Sequence, residues 1–184
     1  MASDENRSDI TLILGGARSG KSRLAETIIE RENKPAIYIA TAQAHDGEMT
    51  ARIAAHRARR GADWRTEEIP LELAQGLSGL LKAGTPILID CLTLWLSNIM
   101  LADRNAETEI DALATEIPMA EAPLVLVSNE TGLGIVPENA LARRFRDLSG
   151  IMNQTIATRA NNVLFVAAGL PLVMKGRNPA DQPV

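Results

Sequence analysis

Five short apolar runs punctuate the chain: ITLIL (Ile10–Leu14), AIYIA (Ala36–Ala40), PILIDC (Pro86–Cys91), PLVLVS (Pro123–Ser128) and VLFVA (Val163–Ala167). Each is apolar at consecutive positions, the mark of strands covered on both faces in a parallel sheet between helical layers. Between the runs the period changes. Ser22–Arg31 reads as a helix continuing from a glycine-rich turn, Leu71–Leu81 has leucines at helical spacing, and Glu138–Ala160 reads as a long amphipathic helix with Gly150 in its interior. This strand–helix alternation predicts an α/β fold, a mostly parallel sheet with helices on both faces and right-handed crossovers. Trp64–Ile69 and Leu172–Met174 are candidates for additional, antiparallel strands. The polar stretches 1–9 and 176–184 predict tails on either side of a single domain spanning 10–175.

Composition narrows the class. With 184 residues, 46% of them hydrophobic, the chain can build one full core. Only 3% are aromatic, so that core is aliphatic. A net charge of -4 argues against a nucleic-acid backbone clamp, whose affinity comes from neutralising many phosphates. The lone cysteine, Cys91, excludes an internal disulfide, and neither a leader pattern nor an 18-residue apolar run is present, so the sequence reads as cytoplasmic with no membrane partner.

The most specific local signal is GGARSGKS, comprising Gly15, Gly16, Ala17, Arg18, Ser19, Gly20, Lys21 and Ser22. It has the P-loop spacing, with an apolar strand before it and a helix after it. The glycines let the backbone curl so that N–H groups and the helix N-terminus face phosphate oxygens. Lys21 supplies a mobile positive charge, and the Ser22 hydroxyl is the usual ligand of Mg²⁺. The fold this defines is that of the P-loop nucleoside triphosphate hydrolases, of the RecA-like kind. A second metal-facing carboxylate is expected at the end of a neighbouring strand. Asp90, closing PILID, is the natural candidate, and Glu130 after PLVLVS is another. A helix over Gly47–Arg60, with Asp46 as its cap, would set Met49 and Ile53 on one face and Arg52, His56, Arg59 and Arg60 beside it. Two readings of His56 stand at this point: a half-buried histidine on a solvated basic helix, or a neutral imidazole that attacks phosphorus on a polyphosphate gathered by the arginines. His45, in the preceding loop, reads as a surface residue. The arginines Arg143, Arg144 and Arg146 either contact phosphate or solvate their helix.

Taken together, GGARSGKS, YIATAQ, DGEMTARIAAHRARR, WRTEEIP, LIDCLTLWLSN, SNETGLGIVPENALARRFRDLSGIMNQ and GLPLVMK resemble, in order and from about Ile10 to Lys175, the bifunctional adenosylcobinamide kinase/adenosylcobinamide-phosphate guanylyltransferases of cobalamin biosynthesis. The resemblance implies two reactions at one nucleotide site. ATP or GTP phosphorylates adenosylcobinamide, and GTP then donates GMP to adenosylcobinamide-phosphate, giving adenosylcobinamide-GDP and pyrophosphate. The family's guanylyl carrier histidine falls on His56. Its nucleotide contacts fall on Gly15–Ser22, on Ala40, Thr41 and Ala42, on Arg57, Ala58, Arg59 and Arg60, on Glu68 and on Asp90, with Mg²⁺ at Ser22 and Asp90. Three positions depart from common versions: Asp90 stands where Glu also occurs, Ala42 replaces a Ser, and Gly61 follows the arginines where Pro is frequent. The resemblance further implies a homo-oligomer, a trimer. The competing enzyme reading is a P-loop small-molecule kinase without a covalent step. A GTPase switch lacks its guanine-reading element, since Asn33-Lys34-Pro35-Ala36 has no aspartate.

Overall fold

The computed structural model describes residues 9–42, 61 and 63–181. In chain order its elements are β1 (Ile10–Gly15), α1 (Lys21–Glu30), β2 (Ala36–Ala40), β3 (Trp64–Glu68), α2 (Leu73–Ser78), β4 (Ile87–Asp90), α3 (Leu92–Leu101), α4 (Ala106–Glu116), a 3₁₀ turn (Ile117–Met119), β5 (Leu124–Val127), α5 (Ala140–Arg159), β6 (Asn162–Ala167), β7 (Leu170–Lys175) and a closing 3₁₀ turn (Pro179–Asp181). The strands form one sheet in the order β3-β2-β4-β5-β1-β6-β7. All neighbours are parallel except β6 and β7.

The consecutive apolar positions work as the two-residue period requires. Along β1, Ile10, Leu12 and Leu14 enter one core while Ile13 enters the other. Ile37 and Ile39 part from Tyr38 on β2, Ile87 and Ile89 from Leu88 on β4, and Leu124 and Leu126 from Val125 and Val127 on β5. The larger core lies under α2 to α5 and includes the fully buried Trp95. The smaller is closed by Ala25, Ile28 and Ile29 of α1.

Local chemistry sets the element ends. Asn105 caps α4 by accepting from Thr108 N at 2.9 Å, and Asn139 caps α5 by accepting from Leu141 N at 2.8 Å and Ala142 N at 3.2 Å. Ala168 and Gly169, both at positive φ (52° and 80°), make the tight β6–β7 turn.

Three outcomes differ from the sequence expectations. Trp64–Glu68 is a strand, but it runs parallel to β2; the stretch 41–63 exceeds the dozen or so residues a crossover needs. The pair α3 and α4 had no counterpart in the sequence reading. Leu92, Trp95, Leu96 and Ile99 of α3 are all buried, so LTLWLSNIML carries too little polarity for a stripe to show. The segment after Lys175 does not simply trail away: Asn178 is buried, and Arg177 pairs with Asp9 at 2.7 Å. The antiparallel strand expected at Leu172–Met174 is present within β7.

Candidate functional site

Every parallel strand of the sheet ends at one edge, where ligands bind in open α/β folds. At that edge β1 turns into α1 through Gly16–Gly20. Gly15 has φ +148°, and a Cβ there would lie 2.3 Å from the carbonyl oxygen of Val166 on β6, so only glycine fits. Gly20, the N-cap of α1, has φ +103° and sits against Gly169 at the β6–β7 tip. Gly169 N donates to Ser19 O at 2.9 Å, so the hairpin holds the loop from outside. Gly16, Ala17 and Arg18 are exposed, and Arg18 adopts a left-handed φ of 55°. The first turn of α1 has no acidic residue, so its N–H groups and positive dipole end face the loop without a competing carboxylate. Lys21 is buried, with its Nζ donating to Gly16 O at 2.6 Å across the loop. Ser19 Oγ is buried without a hydrogen-bond partner among the described residues.

The other part of the edge is made by β2, β3 and β4. Register places Ala40 beside both Glu68 and Asp90, so the last residues of three strands stand in a row. Asp90 also pairs with Val127 of β5, which pairs with Ile13 of β1. Asp90 is therefore two strand spacings, about 10 Å, from the strand that feeds the loop. Ser22 and Asp90 are each half-buried, while Glu68 is exposed.

Buried side chains hold this half in place. Thr41 Oγ1 donates to Cys91 O at 2.8 Å and accepts from Cys91 N at 2.9 Å, locking the end of β2 to the turn after Asp90. The Thr41 hydroxyl is thus committed to backbone. Asn98 Nδ2 donates to Thr41 O at 2.7 Å and to Pro70 O at 3.1 Å. Thr93 Oγ1 accepts from Asn129 N at 2.7 Å and lies 3.4 Å from Ser128 Oγ. Asn153 Oδ1 accepts from Ser128 Oγ at 2.7 Å, and its Nδ2 donates to Asn129 O at 3.2 Å. Burial pushes the Cys91 thiol up to about 12, assisted by the Asp90 carboxylate, while the Lys21 ammonium opposes the shift.

Of these clasping residues only Thr41 was among the sequence candidates, and there as a nucleotide contact rather than a support. Asn98 and Ser128 are polar positions at otherwise buried places, a weak signal that gains meaning only when partners far along the chain are known. Of the remaining candidates, Glu130 N donates to Gly15 O at 3.1 Å, and its carboxylate accepts from Gly132 N at 2.5 Å. Arg143 Nη1 donates to Pro137 O and Glu138 O at 3.0 and 2.6 Å, pinning the end of the 129–139 loop. Arg146 pairs with Asp147 at 2.8 Å, and Arg144 is exposed. Ala40 is buried and Ala42 half-buried. The expected helix at 47–60, with His56, Arg57, Ala58, Arg59 and Arg60, and also His45, lies outside the described residues.

A parallel sheet whose first strand enters a glycine-built loop capped by Lys21, with an acidic strand end one strand removed, defines a P-loop nucleotide-binding protein. The comparisons carry this further: the family model described as cobinamide kinase/cobinamide phosphate guanyltransferase matches residues 11–174, and the chain belongs to that enzyme family. It is 53% identical over 167 residues to the bifunctional adenosylcobalamin biosynthesis protein CobP of Pseudomonas aeruginosa, covering 90% of this chain and 96% of that one. It is 40% identical over 179 residues to the Salmonella typhimurium protein CobU, covering 89% and 98%. Among solved structures, the flagellar accessory protein FlaH of Methanocaldococcus jannaschii shares the fold at a TM-score of 0.50 and 12% identity, over 96% of this chain and 82% of that one. A Pyrococcus horikoshii OT3 protein does so at 0.55 and 10%, over 93% and 88%. No helix among the described residues is long and apolar enough to cross a membrane.

Proposed function

We propose that the protein phosphorylates adenosylcobinamide from ATP or GTP and then transfers GMP from GTP to adenosylcobinamide-phosphate through a guanylyl group carried on His56. The observation that carries this reading is the loop at the sheet edge. Its glycines hold a backbone shape closed to side chains, Lys21 lies across it, and Ser19 Oγ is a buried hydroxyl without a hydrogen-bond partner among the described residues. A buried hydroxyl left unsatisfied costs about 1–3 kcal/mol, and a phosphate oxygen relieves it.

The donor set suits Mg²⁺, which keeps waters and substrate phosphates and asks the protein for few ligands. Ser22 supplies a hydroxyl and Asp90 a carboxylate, both half-buried at the same edge. Bound there, the ion would offset charge on the phosphates.

The chain's own groups do the rest. Loop N–H groups, the α1 N-terminus and Lys21 stabilise negative charge as the phosphate bond breaks. In the second reaction His56 attacks the α-phosphorus of GTP, expelling pyrophosphate, and the guanylyl-histidine passes GMP to the corrinoid phosphate, which frees the imidazole. The arginines Arg57, Arg59 and Arg60, with Ala58 between them, follow the histidine directly and supply charge beside it. We place the corrinoid against the 129–139 loop, whose Leu133, Ile135 and Val136 are exposed. Work in the cytoplasm as a homotrimer belongs to the same reading.

The test uses GTP labelled at the α-phosphate. Acid-labile, alkali-stable label should appear on the protein and be absent from His56→Ala, which should keep cobinamide phosphorylation. An active guanylyltransferase without label would remove the covalent step and leave a P-loop kinase with a direct transfer; label retained in His56→Ala would place the carrier elsewhere.

A further inference from the structure

We propose that Asn153 is a positioning residue that fixes the phosphate loop relative to Asp90. Its environment sets it apart. Leu148, Met152 and Ile156 on the same helix are buried in the larger core, and Asn153 itself is 6% exposed. An amide at such a place is expensive to desolvate and contributes only if its hydrogen bonds are made. Both ends of the amide are used in fixed directions. The oxygen takes the Ser128 hydroxyl proton at 2.7 Å and the nitrogen donates to Asn129 O at 3.2 Å.

Those two partners sit where β5 ends, and β5 is the strand between β4, which ends in Asp90, and β1, which feeds the loop. From there two connections leave. Asn129 N donates to Thr93 Oγ1, three residues beyond Asp90. Ser128 N donates to Ile13 O at 2.9 Å, and Glu130 N donates to Gly15 O at 3.1 Å, at the mouth of the loop. Asn153 thus holds the turn that spaces the two chemical halves of the edge. It does not touch the reacting atoms. A single helix turn earlier, Ser149 Oγ is also buried but has no partner among the described residues, which makes it an internal control.

The proposal rests on the functional reading above only for its kinetic arm. Asn153→Leu keeps the branching at Cγ, is bulkier than the amide, and removes both bonds. Hydrogen exchange should quicken by about tenfold, the scale of one lost hydrogen bond, in the segments 128–134 and 15–22, and stay unchanged in β2 and β3. Turnover of GTP should fall by about 10- to 100-fold with KM for GTP within about threefold, because misplacement acts on alignment more than on binding. Ser149→Ala should leave both readouts at the wild-type level. Should Asn153→Leu fail to fold, Thr93→Val, which removes the acceptor for Asn129 N, should give the same exchange pattern. Faster exchange spread evenly over the sheet, or unchanged exchange in 128–134 with turnover within twofold, would overturn the proposal. A wild-type protein that turns over no GTP would sink the functional reading instead, and the exchange arm would still decide the role of Asn153.

Discussion

The two halves of the functional edge are built by opposite means. Around the phosphate loop, position is set by backbone: Gly15 and Gly20 take φ values of +148° and +103°, and the Ala168–Gly169 turn closes over them. Around Asp90, position is set by side chains, with Thr41, Thr93, Asn98, Ser128 and Asn153 binding backbone or one another. A backbone device works through adjacent residues and tolerates almost no substitution. A side-chain device gathers residues from distant parts of the chain and fails one bond at a time.

The largest break in this contrast is expected at Gly15. In Gly15→Ala the new methyl would meet Val166 O at 2.3 Å in a conformation that side chains avoid. A stability loss of about 2–4 kcal/mol in denaturant melts, with nucleotide binding abolished, is the expected result. Thr41→Val acts on the other half. It keeps shape but strands Cys91 N–H and C=O, so a loss of about 1–3 kcal/mol is expected, with GTP still bound and turnover reduced. Equal loss of binding in both variants would erase the distinction between the halves. The smallest effect comes from Cys91. Its thiol titrates near 9.0 when free and is pushed up to about 12 in the fold, so the folded form holds its proton over that interval. The stability this gives is complete below pH 9 and declines as pH rises from 9 toward 12. Comparing wild type with Cys91→Ala by thermal melts across that range should show the steeper fall in wild type.

The same contrast explains what could be read in the sequence. The phosphate loop was legible because all of its chemistry lies in Gly15–Ser22, in a fixed order that only one backbone shape satisfies. The five central strands were legible because burial on both faces writes itself as consecutive apolar residues. Asp90 was found as a strand end. Its support was not, since Thr41 and Cys91 are fifty positions apart and Ser128 and Asn153 twenty-five. Helix α3 was hidden for the converse reason: burial on nearly every side leaves no polar face to reveal a period. The direction of β3 depends on the path of residues 41–63, and a strand's composition does not encode the direction of its neighbour.

Lys21 carries the central claim, that this loop grips the phosphates of a nucleoside triphosphate. Its ammonium lies buried across the loop, donating to Gly16 O at 2.6 Å. Calorimetric titration of GTP with Mg²⁺ into wild type and Lys21→Met tests it most directly. Loss of one charge-assisted contact should weaken binding by about 10- to 100-fold while the melting temperature stays close to wild type. Affinities within twofold of each other would contradict the account.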